Sequence, residues 1–442
     1  MKDVRFFSQA SGIPQEDLEK LHPSLLEEIA RMNEAIKHGY EDDHASLHLL
    51  EDNDSLRTIK TLVNEKRKLK PTYLVVVGIG GSNLGTIAVQ EAVLGRLYNQ
   101  REPPTKILYA DTVDADLLES IIVLIEPVLK KGGNILINGV SKSGGTTETI
   151  ANFEVLVEVL KQYKRDWQQY IVVTTDKNSR YWSLAQNQEF SLLEIPSKVG
   201  GRFSVFSAVG FFPLGMIGID IDALVSGAQA MKKRCLSPQI DNNPAALGAS
   251  LSYSQYKKGK NIHDLFLFST DLESLGKWYR QLLGESIGKE YNMKGKQVFT
   301  GITPIVSIGS TDLHSMAQLS LGGPFDKFTT FVRVEHNKAV VQVPNLPEYA
   351  SLVQGIQGRS LDDIMQAILQ GVQGAYRKGN RPYAEIVLPD KTAYSIGQFM
   401  QFQMMQIMYL GALCDVNPFD QPNVETYKYG TRKILEENIN RR

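Results

Sequence analysis

Short apolar runs that alternate with helical patterns constrain the fold of this chain more than any other feature. The runs are rich in apolar and β-branched residues and are bounded mostly by Gly, Thr or Asp. Such strands, alternating with helices, form right-handed βαβ units that build a parallel sheet with helices on both faces. The first series therefore predicts one doubly wound domain over residues 71–198, with strands at 73–78, 106–110, 134–137, 170–174 and 191–195.

A second series of apolar runs follows a helix-rich connection at residues 199–260. It predicts a second doubly wound domain over residues 261–394, with strands at 264–268, 297–301, 304–308, 328–334 and 384–388. The predicted fold class is therefore α/β, with two doubly wound parallel sheets. The similarity of the halves indicates an ancestral duplication, although no strong residue-level repeat accompanies it.

Both ends of the chain are helix-patterned. Residues 1–70 form a predicted N-terminal helical arm, in which Pro23 divides one apolar stripe into two helices because proline disrupts a helix interior. Residues 395–442 form a predicted C-terminal helical segment. We interpret its methionine-rich stretch at 400–408 as core or interface filler.

Composition and charge argue against several function classes. The 442 residues include 48 Lys and Arg against 49 Asp and Glu, without long runs of one sign, so we expect no nucleic-acid partner. The most apolar window, 203–219, is too short and too interrupted by Gly and Pro for a membrane span. Cys235 and Cys414 have no metal-type spacing and are typical of free thiols in a reducing compartment. With no secretion signal visible at the start, we expect a cytoplasmic protein without a membrane partner.

The loop at residues 141–149 is a candidate anion site. Its sequence, Ser-Lys-Ser-Gly-Gly-Thr-Thr-Glu-Thr, follows an apolar run and opens a helix-like stretch. Backbone N–H groups, the positive end of the helix dipole and several hydroxyls can together hold one phosphate. The alternative is an ordinary capped helix start, since Ser and Thr are common N-caps. Five Ser and Thr in nine positions are more than one cap uses, which favours the anion site.

The loop at residues 78–85 is rich in glycine but does not match a nucleotide-binding motif. Asn83 stands where the dinucleotide fingerprint needs its third glycine, and no Gly-Lys-Ser/Thr ending is present. A nucleotide site is therefore disfavoured. Gly80 and Gly81 would let a ligand approach the backbone beside the Ser82 hydroxyl, or would form a tight turn against a neighbouring strand.

Arg202 and Glu285 are candidates for charge chemistry. Arg202 follows two glycines and its guanidinium suits oxyanions, although a lone Arg is more often part of a surface or interface ion pair. Glu285 lies on a predicted helix between Gly284 and Gly288, so it is a candidate general base at a helix break. The alternative is a surface ion pair between Glu285 and Lys289, one turn later.

Three further groups carry weaker signals. His314 lies near a predicted helix N-terminus, where the dipole favours a neutral ring that can exchange protons, but most isolated histidines only pack or hydrogen-bond. Glu425 and Lys428 by themselves form an ordinary charged helix face. His44 and His48 have helical spacing that a metal could use, but the zincin signature is absent, and we predict a solvated helix face.

These segments, in this order, resemble the phosphoglucose isomerase family in its compact bacterial form, and the match spans nearly the whole chain. Gly-Gly-Arg-Phe-Ser at 200–204 and Phe-Asp-Gln-Pro-Asn-Val-Glu-Thr-Tyr-Lys at 419–428 look like the two signatures of the family. The 141–149 loop and Glu-Ser-Ile-Gly-Lys at 285–289 add to the resemblance. It implies two sugar-isomerase-type domains and a homodimer with shared active sites. The implied reaction is the reversible isomerisation of glucose 6-phosphate and fructose 6-phosphate through a cis-enediolate, without a cofactor or metal.

The resemblance also implies a role for each site residue. Glu285 would move a proton between C1 and C2, and Arg202 would stabilise the enediolate. His314 of the partner subunit, oriented by Glu148, would assist ring opening together with Lys428. The implied substrate-binding residues are Gly81, Ser82, Ser141, Lys142, Ser143, Thr146, Gln281 and Gln421.

Two positions depart from the pattern of the family: Ile287 replaces a residue that is often polar, and Asn423 stands where glycine is usual. Neither is one of the proposed catalytic groups. Two alternative functions are an isomerase that also accepts mannose 6-phosphate and a non-catalytic sugar-phosphate sensor. A sensor would need only the 141–149 loop and would usually carry a DNA-binding module, so the joint presence of Glu285, Arg202, His314 and Lys428 favours an enzyme.

Overall fold

The computed structural model describes residues 2–439 of the chain. The N-terminal part contains β1 (Arg5–Phe7), α1 (Gln15–Glu19), α2 (His22–Lys37) and α3 (Asn53–Arg67). The first sheet and its helices are β2 (Tyr73–Val77), α4 (Leu84–Leu94), β3 (Lys106–Ala110), α5 (Ala115–Lys130), β4 (Ile135–Val140), α6 (Thr147–Tyr163), β5 (Ile171–Thr175), α7 (Arg180–Asn187) and β6 (Ser191–Glu194). Three helices follow: α8 (Ala208–Met216), α9 (Ile221–Cys235) and α10 (Pro244–Lys257).

The second half contains β7 (Ile262–Leu267), α11 (Glu273–Ile287), β8 (Lys289–Tyr291), β9 (Gln297–Thr300), β10 (Thr303–Ile308), α12 (Ala317–Gly322), β11 (Lys327–Val334), α13 (Leu361–Lys378) and β12 (Tyr383–Leu388). The chain then continues through α14 (Ala393–Leu413) and α15 (Glu425–Ile439).

In the N-terminal part, Pro23 lies in the first turn of α2, which confirms that it divides the arm into two helices.

The first sheet is fully parallel, with the strand order β3-β2-β4-β5-β6. Along β2, Tyr73, Val75 and Val77 pack into a core with α5 and α6, whereas Leu74 and Val76 pack into a core on the opposite face. This alternation buries both faces, as a parallel sheet requires. The prediction of a doubly wound first half is confirmed.

The second sheet has the order β1-β12-β11-β7-β10, in which β1 is an antiparallel edge strand and the other four strands are parallel. Two strand predictions need correction. The sequence pattern predicts residues 297–301 in this sheet, but β9 pairs antiparallel with β8 in a separate hairpin. Only two residues separate β9 from β10, which is too few for a parallel crossover. The second correction is β1, a short strand within the predicted helical arm that joins the sheet through β12.

One continuous hydrophobic core joins the two sheets. It includes Leu74 and Leu136 of the first sheet, Leu265 and Val332 of the second, and the apolar side chains of α4, α8, α9, α11 and α14 between them. Helix α14 is buried on nearly every side, and Met400, Met404, Met405 and Met408 are core residues. The interpretation of this stretch as core filler is therefore confirmed. Within residues 2–439, no helix is long and apolar enough to cross a membrane.

Helices α9 and α14 cross with their backbones in contact, and glycine makes this approach possible. A Cβ added at Gly397 would lie 2.2 Å from the carbonyl oxygen of Leu224, and one added at Gly227 would lie 2.0 Å from that of Tyr394. Both distances are far below van der Waals contact. The central helical layer therefore depends on glycine at these two positions.

We predict that Gly397→Ala lowers the free energy of unfolding by about 3 kcal/mol, because the added methyl group forces two packed helices apart. Urea unfolding followed by circular dichroism measures the change. The matched control is Gly371→Ala on α13, where an added Cβ meets nothing within 4 Å. That change should raise the stability by about 0.5–1 kcal/mol through its helix propensity. Equal stability of the two variants would contradict the importance of the crossing.

Candidate active site

A cleft of about 530 Å³ opens beyond the carboxyl ends of β2, β4 and β5, where a parallel sheet places its ligand-binding loops. The end of α11, the turn at Gly201–Phe203 and the start of α15 form the opposite side. The predicted site residues that line this cleft are Gly81, Ser82, Lys142, Ser143, Thr146, Arg202, Gln281, Glu285, Gln421 and Lys428. Segments far apart in sequence therefore meet at one place.

The loop between β4 and α6 directs its hydroxyls toward one another. Thr146 occupies the N-cap position of α6, and its Oγ1 lies 3.0 Å from Ser141 Oγ and 3.4 Å from Ser143 Oγ. Within the described chain, this side chain makes no capping bond to the helix. The N–H groups of the first turn are thus left for another acceptor, which favours the anion site over the capped helix start. Ser141 is buried beneath this loop, whereas Ser143 and Thr146 line the cleft.

The loop after β2 packs directly against the turn that carries Arg202. A Cβ added at Gly81 would lie 2.2 Å from the carbonyl carbon of Gly201 and 2.6 Å from the backbone nitrogen of Arg202. Gly80 has a φ of 59°, which glycine adopts without strain. Gly81 therefore serves backbone-to-backbone packing of two loops, in addition to lining the cleft.

The guanidinium of Arg202 is buried and donates five hydrogen bonds; the residue is 2% exposed. Nε donates to Ser286 Oγ at 2.7 Å, and Nη1 donates to Gln421 Oε1 at 2.8 Å and to Glu285 Oε2 at 3.2 Å. Nη2 donates to the carbonyl oxygens of Pro418 and Asp420. Burial lowers the pKa of Arg202, and the nearby carboxylates of Glu285 and Asp420 oppose this effect. Arg202 is therefore an internal cation rather than part of a surface pair.

Glu285 projects from the last turns of α11 into the cleft. One carboxylate oxygen faces Arg202, and Oε1 accepts a hydrogen bond from Gln281 Nε2 at 3.2 Å. The side chain is 36% exposed, so it remains open to a ligand. The alternative, a surface pair with Lys289, is not formed, because Lys289 Nζ donates to the main-chain oxygen of Glu285 at 2.7 Å. This leaves the carboxylate to Arg202 and Gln281.

Lys428 extends from α15 into the cleft and forms an ion pair with Glu425, with 2.7 Å between Nζ and Oε1. His314 and Glu148 are placed elsewhere. His314 is exposed after the turn at Thr311–Leu313, and Glu148 is half-buried in the first turn of α6. Within residues 2–439 of one chain, neither side chain lines the cleft. A contribution of His314 from the partner subunit stays a prediction.

Several residues that line the cleft were not predicted from the sequence. Asp176, Asn178 and Ser179 follow β5 and line the cleft beside the 141–149 loop. Their position directly after a predicted strand was the signal that could have identified them. Ser286 accepts a hydrogen bond from Arg202, and Lys289 donates one to the main chain of Glu285. Nothing local in the sequence indicates which way these two side chains point.

The His44 and His48 pair is not a solvated helix face. His44 is buried, with Nε2 2.7 Å from Glu28 Oε1 and Nδ1 2.9 Å from Asp42 Oδ1. His48 packs edge-on against Tyr40. Among the described residues, no group of three or more His, Cys, Asp or Glu side chains could hold a metal ion.

Both departures from the family pattern have a structural explanation. Ile287 is fully buried in the core between the sheets, where an apolar side chain packs well. Asn423 lies in the turn at Pro422–Val424, and its Nδ2 donates to Glu290 Oε2 at 2.9 Å. Neither residue contacts Arg202 or Glu285 through a hydrogen bond in the described part of the chain.

Comparison with known proteins identifies the family of the chain. The family model described as Phosphoglucose isomerase matches residues 66–442. A glucose-6-phosphate isomerase of Carboxydothermus hydrogenoformans is 34% identical over 440 residues, covering 94% of this chain and 92% of the relative. A glucose-6-phosphate isomerase of Thermus thermophilus is 34% identical over 441 residues, covering 98% of this chain and 99% of the relative.

Solved structures share the whole architecture. A hypothetical protein of Thermus thermophilus superposes with a TM-score of 0.86 at 30% identity, covering 98% of this chain and 99% of that chain. A glucose-6-phosphate isomerase of Chlamydia trachomatis has the same fold, with a TM-score of 0.83 at 22% identity and coverage of 99% and 89%. From the family model and the full-length relatives, the chain belongs to the phosphoglucose isomerase family.

Proposed function

We propose that Glu285, Arg202 and the loop at 141–146 carry the reaction of this chain, which is the reversible isomerisation of glucose 6-phosphate and fructose 6-phosphate. The reaction belongs to glycolysis and gluconeogenesis. One observation carries the assignment of residues: a partly open carboxylate contacts a buried guanidinium in the same cleft that the hydroxyl-rich loop lines. Proton transfer next to a carbonyl needs these three elements, a base, a fixed positive charge and an anchor.

The phosphate end of the sugar binds at the loop between β4 and α6. Ser143 and Thr146 offer hydroxyls, Lys142 offers a positive charge, and the first N–H groups of α6 lack a side-chain cap within the described chain. Ser82 and the backbone at Gly81 contact the same ligand from the neighbouring loop, while buried Ser141 holds Thr146 in place. Binding of the phosphate fixes the position of the hexose in the cleft, so that C1 and C2 lie next to Glu285.

The proton moves between C2 and C1 through Glu285. In the open-chain aldose, the carboxylate removes the proton from C2, and the electron pair shifts toward the C1 oxygen to form the cis-enediolate. The same carboxyl group then returns a proton to C1, while a proton passes from the C2 hydroxyl to the C1 oxygen. This leaves a carbonyl at C2 and a hydroxyl at C1, which completes the ketose. Arg202 stabilises the negative oxygen, since its Nη1 donates toward the cleft and a substrate oxygen can replace Gln421 as acceptor.

Ring opening and closing require proton transfer at the ring oxygen and the C1 oxygen. Lys428 lines the cleft and is assigned to this step together with His314 of the partner subunit, which Glu148 would orient. Gln281 and Gln421 contact substrate hydroxyls. A homodimer with shared sites and a cytoplasmic location complete the proposal, supported by the exposed position of His314 and by two free thiols.

We predict that Glu285→Gln lowers kcat by about 10²–10⁴-fold, because the amide cannot accept the C2 proton. Isomerisation of glucose 6-phosphate in heavy water, followed by NMR, measures the rate and the deuterium incorporated at C1 of fructose 6-phosphate and, through the reverse reaction, at C2 of glucose 6-phosphate. The inhibition constant of inorganic phosphate should stay unchanged, since the anchor is intact. Glu290→Gln, outside the cleft, is the matched control. Undiminished turnover of Glu285→Gln would remove this residue from the base role, and conversion without any solvent exchange would count against the enediol route.

We predict that Thr146→Val raises KM for glucose 6-phosphate about tenfold or more, because a hydrogen bond to a charged group contributes roughly 1.5–3 kcal/mol. The change in kcat should be smaller, since the chemistry lies at the other end of the sugar. Steady-state kinetics measures both constants. Thr147→Val, next in sequence but outside this cleft, should change KM by less than about twofold if the anchor assignment is right. Equal effects of the two variants would contradict it.

We predict that inactive His314→Ala and Glu285→Gln subunits regain activity when they form heterodimers. One of the two sites then combines an intact Glu285 with an intact His314, so each heterodimer should reach roughly half the wild-type rate by symmetry. Heterodimers isolated with two affinity tags allow the assay. In the control, a chain carrying both substitutions is paired with wild type, which disables both shared sites. Activity in the control with none in the first pair would mean that each site is built within one chain.

A further inference from the structure

Lys289 is a buried lysine directly behind the candidate active site. It is 6% exposed. It is the first residue of β8, which follows α11, and the last turns of α11 carry Glu285. A buried ammonium group is unfavourable unless its N–H donors are satisfied. Its partners therefore indicate what the lysine is placed to hold.

The ammonium group of Lys289 joins the helix that carries Glu285 to the loop that carries Gln421. Nζ donates to the main-chain oxygen of Glu285 at 2.7 Å and to that of Asp420 at 2.6 Å, and it lies 3.2 Å from Asp420 Oδ1. These contacts use the three donors that a lysine offers. Burial and the nearby Arg202 lower the pKa of Lys289, whereas Asp420 raises it.

Arg202 and Lys289 share one acceptor. The Asp420 carbonyl oxygen accepts from Arg202 Nη2 at 3.0 Å as well as from Lys289, which occupies both of its lone pairs. The next residue, Gln421, places its side-chain oxygen on Arg202 Nη1. Arg202 and Lys289 therefore both bind the peptide group of Asp420. The position of this peptide group determines where Arg202 and Gln421 lie relative to the cleft.

We propose that Lys289 is a positioning residue for the isomerisation, an inference that rests on the function proposed above. By binding the carbonyl groups of Glu285 and Asp420, it fixes the positions of Glu285, Arg202 and Gln421 relative to one another. Lys289 itself does not line the active-site cleft. It lines a separate cavity of about 350 Å³ together with residues 417–420. Its effect on the reaction is therefore transmitted through the loop.

The first test is the kinetics of Lys289→Met in the full-length protein. We expect kcat to fall about 100-fold, which is the loss that a displacement of about 1 Å can cause. KM for glucose 6-phosphate and the inhibition constant of inorganic phosphate should stay within about threefold, because the phosphate loop belongs to other elements. Lys294→Met is the matched control, since Lys294 lies on the same hairpin with a side chain 82% exposed. It should behave as wild type.

The second test is rescue of Lys289→Ala by a small amine. Because Lys289 lines its own cavity, propylammonium can enter the vacated space and donate to the same two carbonyl groups. We expect it to raise kcat at least about tenfold, in keeping with the strength of hydrogen bonds from a charged donor, whereas 1-propanol, which fills space without charge, should not. Equal rescue by both molecules would show that only packing was lost and would overturn the proposal.

The outcomes separate this inference from the proposed function. Circular dichroism checks that each variant is folded. Lys289→Gln, whose amide group keeps two N–H donors without the charge, replaces any variant that is not. A wild-type protein without isomerase activity would overturn the proposed function. Suppose instead that the wild type is active, that Glu285→Gln is inactive and that the kcat of Lys289→Met stays within about threefold of wild type. This result would overturn only the role of Lys289. A parallel rise of KM and of the phosphate inhibition constant would also overturn it.

Discussion

A buried guanidinium connects the elements that line the candidate active-site cleft. Arg202 is nearly inaccessible to solvent, and the cost of removing its charge from water is offset only because all of its donors find acceptors. Those acceptors belong to the end of α11 and to the loop before α15. The position of one side chain therefore determines how Glu285 and the loop before α15 face each other.

The surrounding fold makes this burial possible. The loop after β2 packs backbone to backbone on the turn of Arg202, through Gly81, and so ties the cation to the first sheet. Helix α11, which carries Glu285, belongs to the second half of the chain and packs in the core that both sheets share. The site thus lies where the two halves meet, beside the closely packed helical layer between them.

Local sequence was enough to predict several features. The first sheet and the hydroxyl-rich loop depend on residues that are neighbours along the chain, so their patterns could be recognised directly. The predictions that failed have different physical causes. β9 has an apolar pattern like that of a sheet strand, yet its short link to β10 commits it to a hairpin. His44 looks solvated by spacing alone, but Glu28 and Phe419 cover it.

The sequence by itself determined the alternation of strands and helices, the hydroxyl-rich loop and the identity of the charged residues, because each follows from the chemistry of adjacent positions. Only the tertiary structure decided that Arg202 is internal, that Lys289 binds carbonyl groups instead of the Glu285 carboxylate, and that His314 lies away from the cleft of its own chain. Arg202 is 83 positions from Glu285 and 219 from Gln421. Burial and hydrogen bonding across such separations depend on how whole elements pack, which no local pattern records.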